Sequence, residues 1–360
     1  MLTDIFADRY KDRVLWPEHA EAEAKLLNQC FRIISEQLFP YWIDGKESAA
    51  AKIKWTTIHD RLSTELGIDE LAPKYYSYQT TWMGKPHTQS SFWTMDKICK
   101  DFVCALYSGQ CSPDRFVKER ISFVELAFRF KEEELQVQNN ELPAKIEEAK
   151  RRFQLNAGRG IRLPGDPADG LRAVNATMNA AFRASVDELN ERLRTAGVPL
   201  NYHNGFLQIS TDSLTQTEIE QAFWSVVSDP IWKNVDIDMK EALDRRDAND
   251  RDPVFYAARA LESAIKIVSE KKGWTHGGEK GAHNYIDNLG SAKNGAFIGP
   301  WERDVLKAFF TEIRNPFGHG PGSAEMPQLS AEQTDWAIES CMSWIKSLVA
   351  RMKVHAKTQV

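Results

Sequence analysis

Ile313-Arg314-Asn315-Pro316-Phe317-Gly318-His319-Gly320-Pro321-Gly322 is the segment on which both fold and chemistry turn. A run of helical periodicity, Pro300–Ile313, leads into it, and Pro316 with Gly318 and Gly320 predicts that the helix breaks there. On an unbroken α-helix, residues i and i+5 point about 140° apart, at about 100° per residue, so Arg314 and His319 converge only if the backbone departs from that path. Pro316 is expected to push Asn315 out of helical dihedrals and so to supply the departure. The pairing has a chemical use. Arginine presents a fixed fork of donors that matches a phosphate, and histidine titrates near neutrality. Together they suit attack of an RNA 2′-hydroxyl on the adjacent phosphate, with His319 as general acid or base, Arg314 stabilising the developing charge and Asn315 orienting either partner. The alternative on physical grounds is that this histidine merely caps a helix and that the arginine complements the C-terminal end of its dipole.

Outward from this segment, helices are predicted at Asp252–Lys272, Ala282–Leu289 and Ser330–Lys353, with Pro253 just inside a start and Ser330/Gln333 spaced as a capping box. Helices are also expected from Ile231 to about Asp247 and over Ser213–Ser228. Upstream of these, Val198–His203 and Phe206–Ser210 flank Asn204-Gly205, the dipeptide that best tolerates the positive φ angles of a tight hairpin turn. Leu171–Ala196 is a helix stopped by Gly197, and Gln154–Gly170 reads as a linker. A long helix is predicted from Pro113 to about Gln138, broken at Asn139–Asn140 and resumed over Leu142–Phe153. Earlier helices are placed at Glu18–Leu38, ended by Pro40, and at residues 48–66, stopped by Gly67. Between Tyr75 and Met95 lies an aromatic stretch that suits either a base-stacking platform or the aromatic core of an irregular subdomain; the latter is preferred.

Arg314-Asn315-Pro316-Phe317-Gly318-His319 resembles the R-x4-H motif of HEPN-domain ribonucleases, in the variant where Asn follows Arg. Ala257–Lys266 resembles the early helix of that domain, and the region from about Leu171 to the end resembles the C-terminal half of abortive-infection proteins of the AbiJ type. Pro316 departs from the family pattern. The resemblance implies a bundle of about four or five helices that dimerises so that two such sites meet across a two-fold axis. It implies RNA cleavage without metal or cofactor, in phage defence or a toxin system, with Arg314 and His319 as the catalytic pair and Asn315 as support. Glu262 is a weaker candidate, since a solvated helix face explains it as well. A non-catalytic interaction or nucleotide-binding module is the runner-up, although such domains usually lose the arginine or the histidine. Control by a partner protein or a phage-derived trigger is expected, because an always-active enzyme of this kind would kill its host.

The remaining composition narrows the choices. With Lys and Arg totalling 46 against 51 Asp and Glu, the net charge of −5 argues against a protein that coats nucleic acid non-specifically. No apolar run approaches membrane-spanning length, and the start lacks a secretion-signal profile, so a cytoplasmic protein is expected. The five cysteines form no CxxC pair, and Cys99, Cys104 and Cys111 with His87 match no zinc spacing, so no metal is expected. His203, His276, His283 and the basic tail (Lys346, Arg351, Lys353, His355, Lys357) read as hairpin, loop and solvated helix-end residues. The expectation is a mainly α protein with a helical N-terminal domain over 1–155 of unassigned role, sensory or regulatory. A connecting helix and single β-hairpin occupy 171–235, and a HEPN-type bundle 236–360.

Overall fold

Apolar residues at helical spacing dominate the chain, and helices are what it forms. The computed structural model describes residues 5–82, 85–158, 166, 168–209, 219–248, 250–318 and 329–357. Among these the only sheets are antiparallel strand pairs, so the protein is mainly α as expected. The contacts divide the chain into two compact units, Asp4–Leu207 and Gln208–Val360. Among the described residues no helix is long and apolar enough to cross a membrane.

In the first unit, α1 (Phe6–Arg9) is a single turn and α2 (Glu21–Ile33) runs into a wider π turn, Ile34–Leu38. Ser48 caps α3 (Ala49–Leu66) by accepting from Ala51 N–H at 3.3 Å, and Gly67 ends it at φ +66°. α4 (Met95–Val103), α5 (Pro113–Gly158) and α6 (Asp169–Thr195) complete the helices. The core is built on the fully buried Trp55, whose Nε1 donates to the Phe39 carbonyl at 2.9 Å while its ring packs against Phe31 and Phe123. Burial pushes the Cys30 thiol up to about 12 and that of Cys104 up to about 11.

Three expectations fail in this unit. The break at Asn139–Asn140 is absent, and α5 is continuous through Pro143. The carbonyl four residues before Pro143 is that of Asn139, and Asn139 is held from outside: its side chain bonds to Asn175 and Asn179 of α6 at 2.6–3.0 Å. That side chain therefore does not compete for its own backbone, which is how asparagine usually ends a helix. The single hairpin near 198–210 also has company. Short strands β1 (Trp42–Ile43) and β2 (Lys46–Glu47) pair, and β3 (Tyr75–Trp82) pairs with β4 (Lys85–Phe92). The aromatic stretch is therefore a two-stranded ribbon rather than an irregular core: Tyr75 is 64% exposed and Phe92 78%. The expected hairpin is present as β5 (Leu200–His203) and β6 (Phe206–Ile209), turning through Asn204 at φ 42° and Gly205 at φ 90°. The side chain of Asn190 stands in for a third strand, donating to the Tyr202 carbonyl at 3.1 Å and accepting from Tyr202 N–H at 2.7 Å.

Glu125, on the buried face of α5, ties these pieces together. Arg9 donates to both of its oxygens, at 2.9 and 2.7 Å, Arg129 to one at 2.7 Å, and Leu207 N–H to the other at 2.8 Å. The Glu125 side chain is wholly excluded from solvent. Removing one member of such a cluster leaves the others charged and buried. Glu125→Ala should therefore cost about 3–5 kcal/mol in urea unfolding, and a loss below about 1 kcal/mol would show that the cluster adds no net stability.

The second unit is organised around α9 (Pro253–Lys271), which packs against α8 (Lys233–Asp247) and the long α13 (Ala331–Lys357). Small side chains on α9, Ala257, Ala258, Ala260 and Ala264, are all fully buried and let its neighbours approach closely. Asp252 precedes it at φ 63°, before a proline at the first helical position. α7 (Gln221–Val227), α10 (Ala282–Gly290), α11 (Pro300–Ala308) and the four-residue α12 (Asn315–Gly318) surround this centre. Residues 213–218 of the predicted 213–228 helix lie outside the described residues, and its described part becomes a regular α-helix at Gln221.

Glu302 fixes the start of α11 twice over. It accepts from Gly299 N–H at 2.8 Å, closing a capping arrangement, and from Arg351 of α13 at 2.6 and 3.1 Å. Arg351 holds the Glu302 carboxyl below the usual range, with the Gly299 hydrogen bond adding to the effect against a partial burial penalty. The folded-state pKa is depressed, so this contact stabilises the protein above the ordinary glutamate pKa and is lost as pH falls through the folded value. Glu302→Gln should lower Tm at pH 7, and the gap from wild type should close below about pH 4.3. A gap that stays constant from neutral pH to pH 3 would assign the effect to packing.

Candidate functional site

Arg314 is carried on an uninterrupted helical path rather than at a break. After α11, residues Phe309–Arg314 form a π turn in which Asn315 N–H donates to the Phe310 carbonyl, five residues back. Asn315 has helical dihedrals, φ −64° and ψ −39°, which overturns the expectation that Pro316 would force it out of them. The wide turn explains how. A proline ring normally collides with the carbonyl four residues earlier, but here the coil has already loosened, and Pro316 lies in the first turn of α12, where its missing N–H is an orphan anyway.

The π turn aims the guanidinium of Arg314 at α9. Its Nη2 lies 3.5 Å from Glu262 Oε2, its Nη1 donates to Asn315 Oδ1 at 3.4 Å, and its centre sits 5.5 Å from the Phe255 ring. The Arg314 side chain is 24% exposed, and its Nε is buried with no hydrogen-bond partner among the described residues. Glu262 is 13% exposed and also accepts from Lys266 at 2.8 Å, and Lys266 in turn lies 5.7 Å from the Tyr285 ring on α10. The solvated-face account of Glu262 is thus replaced by one in which it joins two cations. Phe255, Glu262 and Lys266 follow at i, i+7 and i+11, one stripe of α9. That spacing was available in the sequence; what it faced was not.

Asn315 is brought to Arg314 by simple adjacency. His319 lies outside the described residues, as do Gly320 and the following turn. Among the other histidines, His283 opens α10 with its ring Nε2 3.3 Å from Thr311 Oγ1, on the π turn that carries Arg314. His276 lies in the glycine-rich turn, which is organised by Glu279: its carboxylate accepts from His276 N–H at 2.7 Å and from Asn288 at 2.9 Å. Those bonds, the His276 one largest, hold Glu279 down to about 2 and make it a structural anion rather than an acid–base group. His203 is buried in β5. Arg351 belongs to the Glu302 pair and not to a free basic tail; the side chains from Lys353 onward are outside the described residues. Among the described residues no group of three or more His, Cys, Asp or Glu is placed to hold a metal ion.

What the arrangement can do follows from its donors. A guanidinium 3.5 Å from a single carboxylate is held loosely, and the part of its side chain that reaches solvent is available to a phosphate oxygen. The neighbouring Thr311 and His283 add a hydroxyl and an imidazole on an exposed surface.

Comparison with known proteins reaches a different part of the chain. The model of AbiJ N-terminal domain 4 matches residues 4–225, which includes the N-terminal region that the sequence left without a role and excludes Arg314 and His319. Neither the curated proteins nor the solved structures return a match. Since the family model spans more than half of the sequence, the chain belongs to the AbiJ N-terminal domain 4 family and is an AbiJ-like abortive-infection protein.

Proposed function

We propose that this abortive-infection protein is a metal-independent endoribonuclease of the HEPN type, with Arg314 and His319 acting on the scissile phosphate and Asn315 in support. The observation that carries the proposal is the placement of Arg314: held by a π turn, steadied by Glu262 and Phe255, and still partly open to solvent. A preorganised cation of this kind stabilises the extra negative charge of a five-coordinate phosphorus more than that of the starting diester. In the reaction, a base takes the 2′-hydroxyl proton and the 2′-oxygen bonds to phosphorus. The bond to the 5′-oxygen then breaks, and that oxygen leaves with a proton. His319 supplies either proton transfer, and the products are a 2′,3′-cyclic phosphate and a 5′-hydroxyl. DNA, with no 2′-hydroxyl, is inert to this route.

Resemblance to the HEPN class also implies a homodimer. The exposed face of α11 supports that reading: Trp301 is 67% exposed and Val305 48%, one helical turn apart. A regulatory partner or a phage-derived trigger is part of the same proposal, since the toxicity of the activity requires a restraint.

A second reading has its own observation. Glu262 already partly neutralises Arg314, so the arginine could serve as a tie between the π turn and α9 in a non-catalytic interaction or nucleotide-binding module. Cleavage separates the two. Wild type incubated with tRNA and mixed cellular RNA in EDTA should yield 2′,3′-cyclic phosphate ends. Arg314→Ala and His319→Ala should each lower the rate by about 10²-fold or more while keeping the wild-type circular dichroism. Unchanged cleavage in both variants would end the nuclease proposal at this site. For the dimer, Trp301→Glu should move the sedimentation coefficient from dimer to monomer, and a wild type that sediments as a monomer at all concentrations would refute it.

A further inference from the structure

The ribbon formed by β3 and β4 plays no part in the Arg314 chemistry. Its register pairs Tyr75 with Phe92, Tyr76 with Ser91 and Tyr78 with Gln89, so Tyr76, Tyr78 and the following Trp93 share one face. The Trp93 and Tyr76 rings lie 4.0 Å apart at 28°, and Tyr76 and Tyr78 5.9 Å apart at 26°. This is a row of near-parallel rings that reaches solvent at both ends, with Tyr78 42% and Trp93 36% exposed. Core packing does not account for it, because residues 85–90 on the opposing strand are exposed throughout.

Composition narrows the partner. From Tyr75 to Trp93 there is no Val, Leu, Ile or Ala, so a protein partner's aliphatic anchors would find rings and hydroxyls but no pocket. No Asp or Glu occurs from Leu71 to Met95, whereas Lys74, Lys85 and His87 do. Lys74 and Lys97 are each shared with a carboxylate off the ribbon, Glu70 and Asp101, and Lys97 also lies 5.0 Å from the Trp93 ring. Lys85 has no ion pair among the described residues. Parallel exposed rings flanked by cations on an acid-free ribbon match the two needs of an unpaired polynucleotide: a flat apolar surface for each base and positive charge for the phosphates.

We propose that the β3–β4 ribbon binds a single-stranded nucleic acid, with a base stacking on the solvent-reaching Tyr78 end of the ring row and the backbone running past Lys85. The site lies in the first unit and does not depend on the Arg314 reading. It is tested with the full chain and a fluorescein-labelled oligodeoxythymidine of about a dozen nucleotides, a length matching common single-strand sites. DNA is used because it cannot be consumed by 2′-hydroxyl attack. Fluorescence anisotropy should show binding that weakens with salt and that a duplex of equal length does not match. Tyr78→Ala should raise Kd by about tenfold or more, the range expected for loss of one stacked base. Lys85→Glu should raise Kd and flatten the salt dependence. Phe92→Ala, on the opposite face, should leave Kd within about twofold of wild type, with circular dichroism unchanged in all three. No binding at about 100 µM protein, the weak end of non-specific association, would overturn the proposal. So would a Kd indifferent to Tyr78→Ala, a preference for duplex, or a ribbon substitution that alters self-association without altering binding.

Discussion

A carboxylate can be removed from water only where donors replace the water, and this requirement sets much of the architecture. Glu125 has four such donors, from Arg9, Arg129 and the backbone of Leu207. They come from three separate stretches of sequence, so the charge is satisfied only when the first turn of the chain, the long helix and the distant hairpin have all arrived. Glu302 repeats the device in the second unit with Arg351 and the amide of Gly299. In both places an acidic residue that hydropathy would assign to the surface acts as the joint between elements.

The same logic reaches the candidate site, where it is only half fulfilled. Glu262 takes two cations, Arg314 and Lys266, and neither contact is as enclosed as those of Glu125. Arg314 is consequently placed without being saturated. The π turn is what allows the placement, because it rotates the last turn of the helix before Pro316 and lets the chain stay helical through Gly318.

Much of this was legible in the residues. Asn204-Gly205 announced its hairpin because the turn demands positive φ at both positions, and Ser48 with Gly67 marked the ends of α3 for the same kind of local reason. The failures share a different cause. The β3–β4 ribbon has two exposed faces, so it lacks the apolar–polar alternation by which half-buried strands are recognised. Asn139 looked like a helix breaker, and its partners on α6 cannot be known before the fold is. Pro316 was read by its usual effect on an α-helix, whereas the preceding turn is not α. Of the candidate site, the motif singled out Arg314 and Asn315, whereas the contact of Arg314 with Glu262 was not legible, since an ion pair across helices leaves no mark in either helix alone. The family match adds the converse lesson: it falls on residues 4–225 and takes in the first 155, to which the sequence reading assigned no role.

The thiols of Cys30 and Cys104 are held at about 12 and about 11 by their surroundings. The thiolate is the species that alkylating and oxidising agents attack, and burial both disfavours that form and bars such agents from the fully buried Cys30. In the folded chain the Cys30 sulfur is therefore shielded, and it becomes an ordinary nucleophile only when its helix opens. The rate at which Cys30 takes up an alkylating label is then a clock for local opening of α2, recorded by mass at one native position without any introduced probe.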